Sequence, residues 1–159
     1  MSQNDLRTRL LESRAALLDG VGNASHEAFI RRPPPSGRED DDRWAVRDVL
    51  WHVGNRDQRW RAWMEAELAG TPQQRATPRQ PRPAAMNTLP LLLGRLEETR
   101  AATLALLDTL DAQALERRGA RPGGDGELSF AEVFGLLIEH DREHAAHIGR
   151  LLDPMSEEA

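Results

Sequence analysis

The sequence predicts an all-α protein, a four-helix bundle formed by a single domain over residues 1–159. Apolar residues recur at helical spacing in four long segments. No run alternates apolar and polar residues as a half-buried strand would, so no strand is predicted. The connecting segments are polar and rich in Pro or Gly. Four amphipathic helices with such links favour a bundle.

The first helix is predicted over residues 4–18. Leu6, Leu10 and Leu17 fall on one face of this segment, and that face would pack into the core. Gly20 follows the segment and can end the helix.

The second helix is predicted over residues 44–68, and all four Trp residues lie in that segment. One stripe is apolar and contains a histidine; its members are Val49, His52, Val53, Trp60 and Trp63. Trp44 and Trp51 form a second line, for which core packing is favoured over a surface that faces helix one or a second subunit. An exposed Trp line would favour a homodimer.

The third and fourth helices are predicted over residues 89–110 and from Ser129 to about Leu152. The third is dense in Leu and Ala. At the start of the fourth, Ser129 stands three residues before Glu132, the pattern of a capping box. A short helix over residues 112–117 is predicted before the fourth.

Three segments are predicted as loops. Residues 31–42 carry three prolines and an acidic run, residues 71–83 carry four prolines, and residues 118–127 carry four glycines. The link over residues 70–86 is long enough to cross the bundle, since an extended residue covers about 3.3 Å. Strict up-down-up-down order is therefore not required.

The charge balance argues against a nucleic-acid binder. The formal net charge is −5, and the basic stretch 71–83 has no aromatic residue on which a base could stack. No apolar stretch approaches the roughly 20 residues that span a bilayer, and nothing resembles a signal peptide. We therefore expect a cytoplasmic protein with neither nucleic-acid nor membrane partners.

The residue types that are absent limit the chemistry. The chain has no Cys, no Lys and no Tyr, which excludes thiolate nucleophiles, Schiff bases and phenolic acids. No Gly-x-Ser-x-Gly elbow is present. Any catalysis must come from His, Asp, Glu, Arg, Ser or Thr, or from a metal.

The histidines carry the main chemical signal. His140 and His144 are one helical turn apart and lie on the apolar stripe of the fourth helix. His52 lies on the apolar stripe of the second helix, at a depth that allows the three rings to meet. Unpartnered imidazoles in a core would cost several kcal/mol. We therefore predict that His52, His140 and His144 bind one divalent metal ion (Zn, Ni, Fe or Mn) and leave coordination positions open.

The sequence also contains four histidine or acidic residues whose relation to this site the pattern leaves open. His147 lies at the edge of the same stripe, where it is a fourth ligand, a hydrogen-bond partner of a ligand or a partly exposed residue. His26 is expected in a surface loop. Asp141 and Glu143 are interpreted as surface charges, although either could orient a ligand histidine.

Two stretches carry a family resemblance. Three prolines at 33–35 precede WAVRDVLWHV at 44–53, and LIEHDREHAAHI occupies 137–148. Together these resemble the second-helix and last-helix signatures of the DinB-like (DinB/YfiT) superfamily. The order and spacing of helices extend the resemblance over essentially the whole chain.

The resemblance implies a four-helix bundle, often dimeric, with a metal held by three histidines that fall on His52, His140 and His144. Members include thiol-dependent transferases and isomerases as well as hydrolases. The expected function is therefore metal-assisted activation of water or a low-molecular-weight thiol, with a small molecule as substrate. Whether the chain is an enzyme stays open, because a non-catalytic metal-binding or stress-related interaction protein, or a bundle whose histidines only pack, fits the same residues.

The chain departs from the family pattern at three places. Ala45 stands where a Ser or Thr usually caps the second helix, a loss of about 1 kcal/mol for which Asp42 could substitute. His147 stands where Gln is frequent. The sulfoxide synthases related to this family carry a Glu where this chain has Ala146, and they have a second domain, so that activity is set aside.

Overall fold

The computed structural model describes residues 1–34 and 43–153. Their secondary-structure elements, in chain order, are α1 Gln3–Asp19, α2 His26–Ile30, α3 Val46–Leu68, α4 Leu89–Asp108, α5 Ala112–Leu115, β1 Arg118–Ala120, β2 Glu127–Ser129 and α6 Phe130–Leu152. The four long helices match the four predicted segments to within two residues at each end, and the predicted four-helix bundle is confirmed. No helix in these ranges combines the length and apolarity needed to cross a membrane.

The helices pack in a fixed pattern of neighbours. Helix α1 packs along α6, α3 packs along α4, and α3 also contacts α6. The core divides into two apolar clusters, one around Trp63 and Phe134 and the other around Val49 and Ile148. The contact between α3 and α6 matters most for function, because these two helices carry the three histidines singled out above.

Capping residues set where the two histidine-bearing helices begin. The Ser129 hydroxyl accepts from the Glu132 amide and the Glu132 carboxylate accepts from the Ser129 amide, so the predicted capping box is confirmed. Helix α3 begins two residues later than predicted, after Ala45, which has no side-chain acceptor. The Asp48 carboxylate accepts a hydrogen bond from the Ala45 amide at 3.0 Å. The proposed substitute cap, Asp42, lies outside the described residues.

The prediction of no strands was wrong. Strands β1 and β2 form an antiparallel hairpin directly before α6, with Gly119 opposite Leu128. Each strand has only three residues, too few to show an alternating pattern in the sequence. Gly119 is required by close packing, since a Cβ atom there would lie 2.9 Å from the Trp63 ring. The hairpin thus anchors the predicted Gly-rich loop to α3.

Two shorter elements also differ from expectation. His26 was expected in a loop but is the first residue of α2, which Ser25 caps by accepting a hydrogen bond from the Ala28 amide. This one-turn helix buries Phe29 in the core, a tertiary contact that a five-residue segment does not reveal by periodicity. Helix α5 is present but ends at Leu115.

A buried cluster of four charges joins the four long helices. Arg14 of α1, Asp57 of α3, Arg100 of α4 and Asp141 of α6 are each almost fully buried. The Arg100 guanidinium donates two hydrogen bonds to Asp57, at 2.8 and 2.9 Å, and lies 3.0 Å from Asp141. Arg14 donates to Asp57 at 2.9 Å and to Asp141 at 3.2 Å. The cluster is electrically neutral and contributes one side chain from each helix.

Asp141 was interpreted as a surface charge, and that interpretation was wrong. Its side chain is 1% exposed, and it also accepts a hydrogen bond from the Ser13 hydroxyl at 2.9 Å. The sequence was misleading because Asp141 lies next to exposed Arg142 and Glu143 on a helix whose neighbours were unknown. Partners from α1 and α4, which are distant in sequence, supply the compensation that a buried carboxylate needs.

The arginines keep the Asp57 carboxylate of this cluster ionised. Burial alone would raise the pKa of Asp57, but the hydrogen bond from Arg100 and the charges of Arg100 and Arg14 outweigh burial, and the pKa lies below its ordinary value. The Thr103 hydroxyl donates a further hydrogen bond to Asp57 at 3.0 Å. Removing one of these charges would leave the others buried and uncompensated. The resulting loss of folding free energy is larger than the net stabilisation that the intact cluster provides.

We expect Asp57→Asn to lower the free energy of unfolding by about 3–5 kcal/mol, because two buried arginines would then share one carboxylate. The matched control is Asp108→Asn. Asp108 pairs with Arg7 on the surface, where the side chains are 40% and 52% exposed, so its loss should cost less than about 1 kcal/mol. Urea denaturation followed by circular dichroism measures both. Equal effects of the two substitutions would contradict the structural role assigned to the cluster.

Candidate metal centre

Three imidazoles meet between α3 and α6. The Nε2 atom of His140 lies 2.9 Å from Nε2 of His52 and 3.1 Å from Nε2 of His144. One ring nitrogen from each residue lies within 4.8 Å of the other two. The structure thus brings together the three residues that the sequence singled out.

The helix faces explain why the rings converge. On α6, His140 and His144 continue the buried line of Leu137 and Ile148. On α3, His52 lies beside buried Val49 and Val53. Since these two helices pack on each other, the same apolar contacts that form the core direct all three rings to one point.

The donor set fits a metal ion better than it fits mutual hydrogen bonding. A neutral imidazole has one N–H, so three Nε2 atoms that face one another cannot all be paired by one another. Nitrogens about 2.0–2.1 Å from a shared ion would be separated by about 2.9 Å at right angles and by about 3.4 Å at tetrahedral angles. The separations of 2.9 and 3.1 Å between His140 and the other two rings fall in this range.

The surroundings keep the His52 and His140 rings neutral, the form that binds metals. Burial, followed by the charge of His144, lowers the pKa of His52 from 6.5 to about 3. Burial is also the largest cause for His140, which is 6% exposed; its pKa is lowered further still, with His144 and His52 as the next causes. Nearby arginines, Arg56 first among them, add to the effect on His52.

Trp44 closes one side of the cluster. It lies just before α3 rather than within it, and its ring centroid is 4.8 Å from that of His52 and 6.5 Å from that of His144. Trp51 is 8% exposed, and its indole N–H donates to the Gln80 carbonyl at 3.0 Å. Neither residue offers the exposed Trp line that would have favoured a dimer.

The remaining candidates lie at the margin. The His147 ring centroid is 5.7 Å from that of His144, and His147 is outside the convergent group. Asp141 is committed to Arg14 and Ser13 in the charge cluster and therefore does not orient a histidine. His26 is exposed and lies beside Phe29.

Sequence reasoning missed the segment that covers the site. The Pro-rich link over residues 71–83 is a largely exposed loop, as predicted, but it also folds back along α3. Arg59 donates to the Thr77 carbonyl, and Trp51 donates to that of Gln80. The basic composition of this link was the signal in the sequence that it contributes to a site. Only the fold shows that Arg79 and His52 line the same cavity of about 160 Å³.

In the metal-free protein we expect the His52 imidazole to stay neutral at pH 5, because its pKa is about 3. The unfolded chain takes up this proton near pH 6.5, so the metal-free protein should lose stability as the pH falls from about 6.5 toward 3. Long-range ¹H–¹⁵N NMR spectra report the protonation state. An imidazolium signal for His52 at pH 6 would contradict the expectation.

Comparison with known structures agrees with this architecture. YfiT from Bacillus subtilis, described as a probable metal-dependent hydrolase with an unusual four-helix bundle topology, superposes with a TM-score of 0.70. The two chains are 22% identical, and the alignment covers 94% of this chain and 85% of YfiT. A conserved protein from Enterococcus faecalis superposes with a TM-score of 0.67 at 14% identity, over 96% of this chain and 98% of the other. At these identities the similarity shows the fold.

The sequence comparison establishes the family. No curated protein matches the chain significantly. The family model of the DinB superfamily matches residues 9–148, a span that includes α3, α6 and all three convergent histidines. The chain therefore belongs to the DinB superfamily.

Proposed function

We propose that His52, His140 and His144 bind one divalent metal ion and that the chain is a metal-dependent enzyme that activates water or a low-molecular-weight thiol. The observation that carries this proposal is the convergence of three Nε2 atoms, at 2.9 and 3.1 Å from that of His140, in a setting that keeps His52 and His140 neutral. Imidazole ligands suit Zn, Ni, Fe and Mn. Three protein ligands are typical of sites that leave positions for a reactant.

Each part of the chain has a defined task in this proposal. The bound ion would supply Lewis acidity, which lowers the pKa of a nucleophile and polarises a substrate. His140 and His144 fix two ligand directions from a single rigid turn of α6, and His52 supplies the third from α3. Trp44 excludes water from one side of the rings.

The charge cluster positions this site. Asp141 directly follows His140, and its carboxylate is held by Arg14 of α1 and Arg100 of α4. A rotation of α6 that moved His140 away from His52 would also break these buried ion pairs. The three ligands are therefore held in register before any ion binds, which lowers the cost of ordering them.

An open cavity favours a catalytic role over a purely structural metal site. The cavity of about 160 Å³ beside His52 lies between α3 and the Pro-rich link, so a small molecule could approach the ion from that side. A structural zinc site would be closed by a fourth protein ligand. The description of YfiT as a probable metal-dependent hydrolase supports the hydrolytic form of the proposal.

We expect about one metal ion per chain in protein made without a His tag, measured by elemental mass spectrometry after incubation with Zn, Ni, Fe or Mn. The double variant His140→Ala/His144→Ala should bind none, because one imidazole cannot hold the ion alone. The matched control is His26→Ala, which removes an exposed histidine and should keep the full metal content.

Cobalt substitution tests whether the site is open. A small thiol such as cysteamine should bind the Co²⁺-loaded protein and give a new near-ultraviolet charge-transfer band. An unchanged spectrum with thiol, azide and other small ligands would indicate a closed, non-catalytic site. No metal in the parent protein would leave a histidine-containing core and remove the basis of the whole proposal.

A further inference from the structure

Arginines from three separate parts of the fold surround the space beside His52. Arg56 and Arg59 lie on α3, Arg79 lies on the Pro-rich link, and Arg121 follows β1. Two adjoining cavities of about 160 and 170 Å³ bring them together; Arg56 and Arg59 line both, Arg79 lines the first and Arg121 the second. His52 opens directly into the first cavity.

These two cavities have no acidic lining, although the protein as a whole is acidic. The formal net charge is −5, yet the described residues that line the two cavities include four arginines and no carboxylate. Among the described groups, Glu143 is the acid that acts on Arg56, and its influence is weaker than that of Arg59 and Arg79. A third cavity, which His52 and Arg79 also line, includes Asp48, and Asp48 is already paired with Arg82.

Among the described residues, several buried or half-buried arginines are neutralised by carboxylates. Arg14 and Arg100 share Asp57 and Asp141, and Arg82 pairs with Asp48 at 3.0 Å. The arginines beside His52 instead repel one another: burial, and then the charges of Arg59 and Arg79, lower the pKa of Arg56. Like charges gathered in a concave site without acids are destabilising on their own and are typical of anion binding.

The pocket is already shaped for a ligand. The Arg59 guanidinium donates to the Thr77 carbonyl at 2.6 Å, which holds the link against α3. The Arg79 guanidinium lies 5.1 Å from the centre of the Trp44 ring, so that cation is stacked on an aromatic face. With these contacts in place, Arg59 and Arg79 both have defined positions in the lining of the first cavity.

We infer that this pocket binds an oxyanion group, a carboxylate or a phosphate, of the small molecule on which the three-histidine centre acts. Arg56 and Arg79 are its specificity-determining residues. Planar guanidinium groups match both oxyanions by paired N–H donors. The first cavity has room for a group of this size, since a water molecule in the liquid occupies about 30 Å³.

The inference rests on the proposed function only where it calls the anion part of the substrate; the anion site itself does not require a metal. The test therefore uses metal-free protein at low salt, titrated separately with inorganic phosphate and with succinate. Binding is followed by calorimetry and by tryptophan fluorescence, to which Trp44, lying against Arg79, contributes with three other tryptophans. The stronger of the two probes identifies the oxyanion.

We expect one of the two probes to bind at one site per chain and to weaken as the salt concentration rises. Arg56→Gln should weaken binding about tenfold, the loss expected for one charge-assisted hydrogen bond. Arg56→Lys should recover only part of that loss, because an ammonium group cannot form the paired contact. The matched control Arg9→Gln removes the same charge from an exposed site on α1 and should change binding less than about twofold.

Metal content separates failure of this inference from failure of the proposed function. Arg56→Gln should bind metal as the parent does, since it leaves the three histidines intact. Equal effects of Arg56→Gln and Arg9→Gln, or no binding of either probe, would overturn the anion site whatever the metal content. Anion binding in a protein that takes up no metal would keep the pocket and overturn its assignment to a metal-dependent reaction.

Discussion

The neutral cluster of Arg14, Asp57, Arg100 and Asp141 is the constraint on which the rest of the structure depends. Each long helix contributes one member, and along each helix that member lies between the two apolar clusters of the core. Apolar contacts alone tolerate sliding and rotation of helices, whereas buried ion pairs tolerate neither, because a displaced charge would lose its partner in a medium of low dielectric constant. The cluster therefore specifies the register of the bundle.

The histidine site uses that register. Asp141 and His140 are adjacent on α6 and face different partners: the carboxylate meets arginines from α1 and α4, and the imidazole meets His52 from α3. The contacts that fix the position of Asp141 therefore also fix the position of His140. Burial lowers the pKa of His52 and His140, which keeps these two rings neutral. The fold itself thus brings the nitrogens of the three imidazoles together.

Charge is distributed differently on the two sides of α3. In the core, each arginine has a carboxylate partner; beside His52, Arg56, Arg59 and Arg79 have none in the lining of the cavity they share. The ion pairs of the core stabilise the bundle. The arginines beside His52 instead repel one another. A small protein with a net negative charge thus presents a local positive potential where a reactant would enter.

The sequence by itself determined the four long helices, the cap of α6 at Ser129 and the inward-facing positions of His52, His140 and His144, because helical periodicity places each residue on a face whatever the partner is. It could not determine what lies opposite each face. The hairpin before α6, the burial of Asp141 and the return of the Pro-rich link to α3 were decided by contacts between residues distant in the chain. Three-residue strands, a lone acid and a proline-rich stretch carry no periodic signal, and only the tertiary structure supplies the partners that give them a defined place.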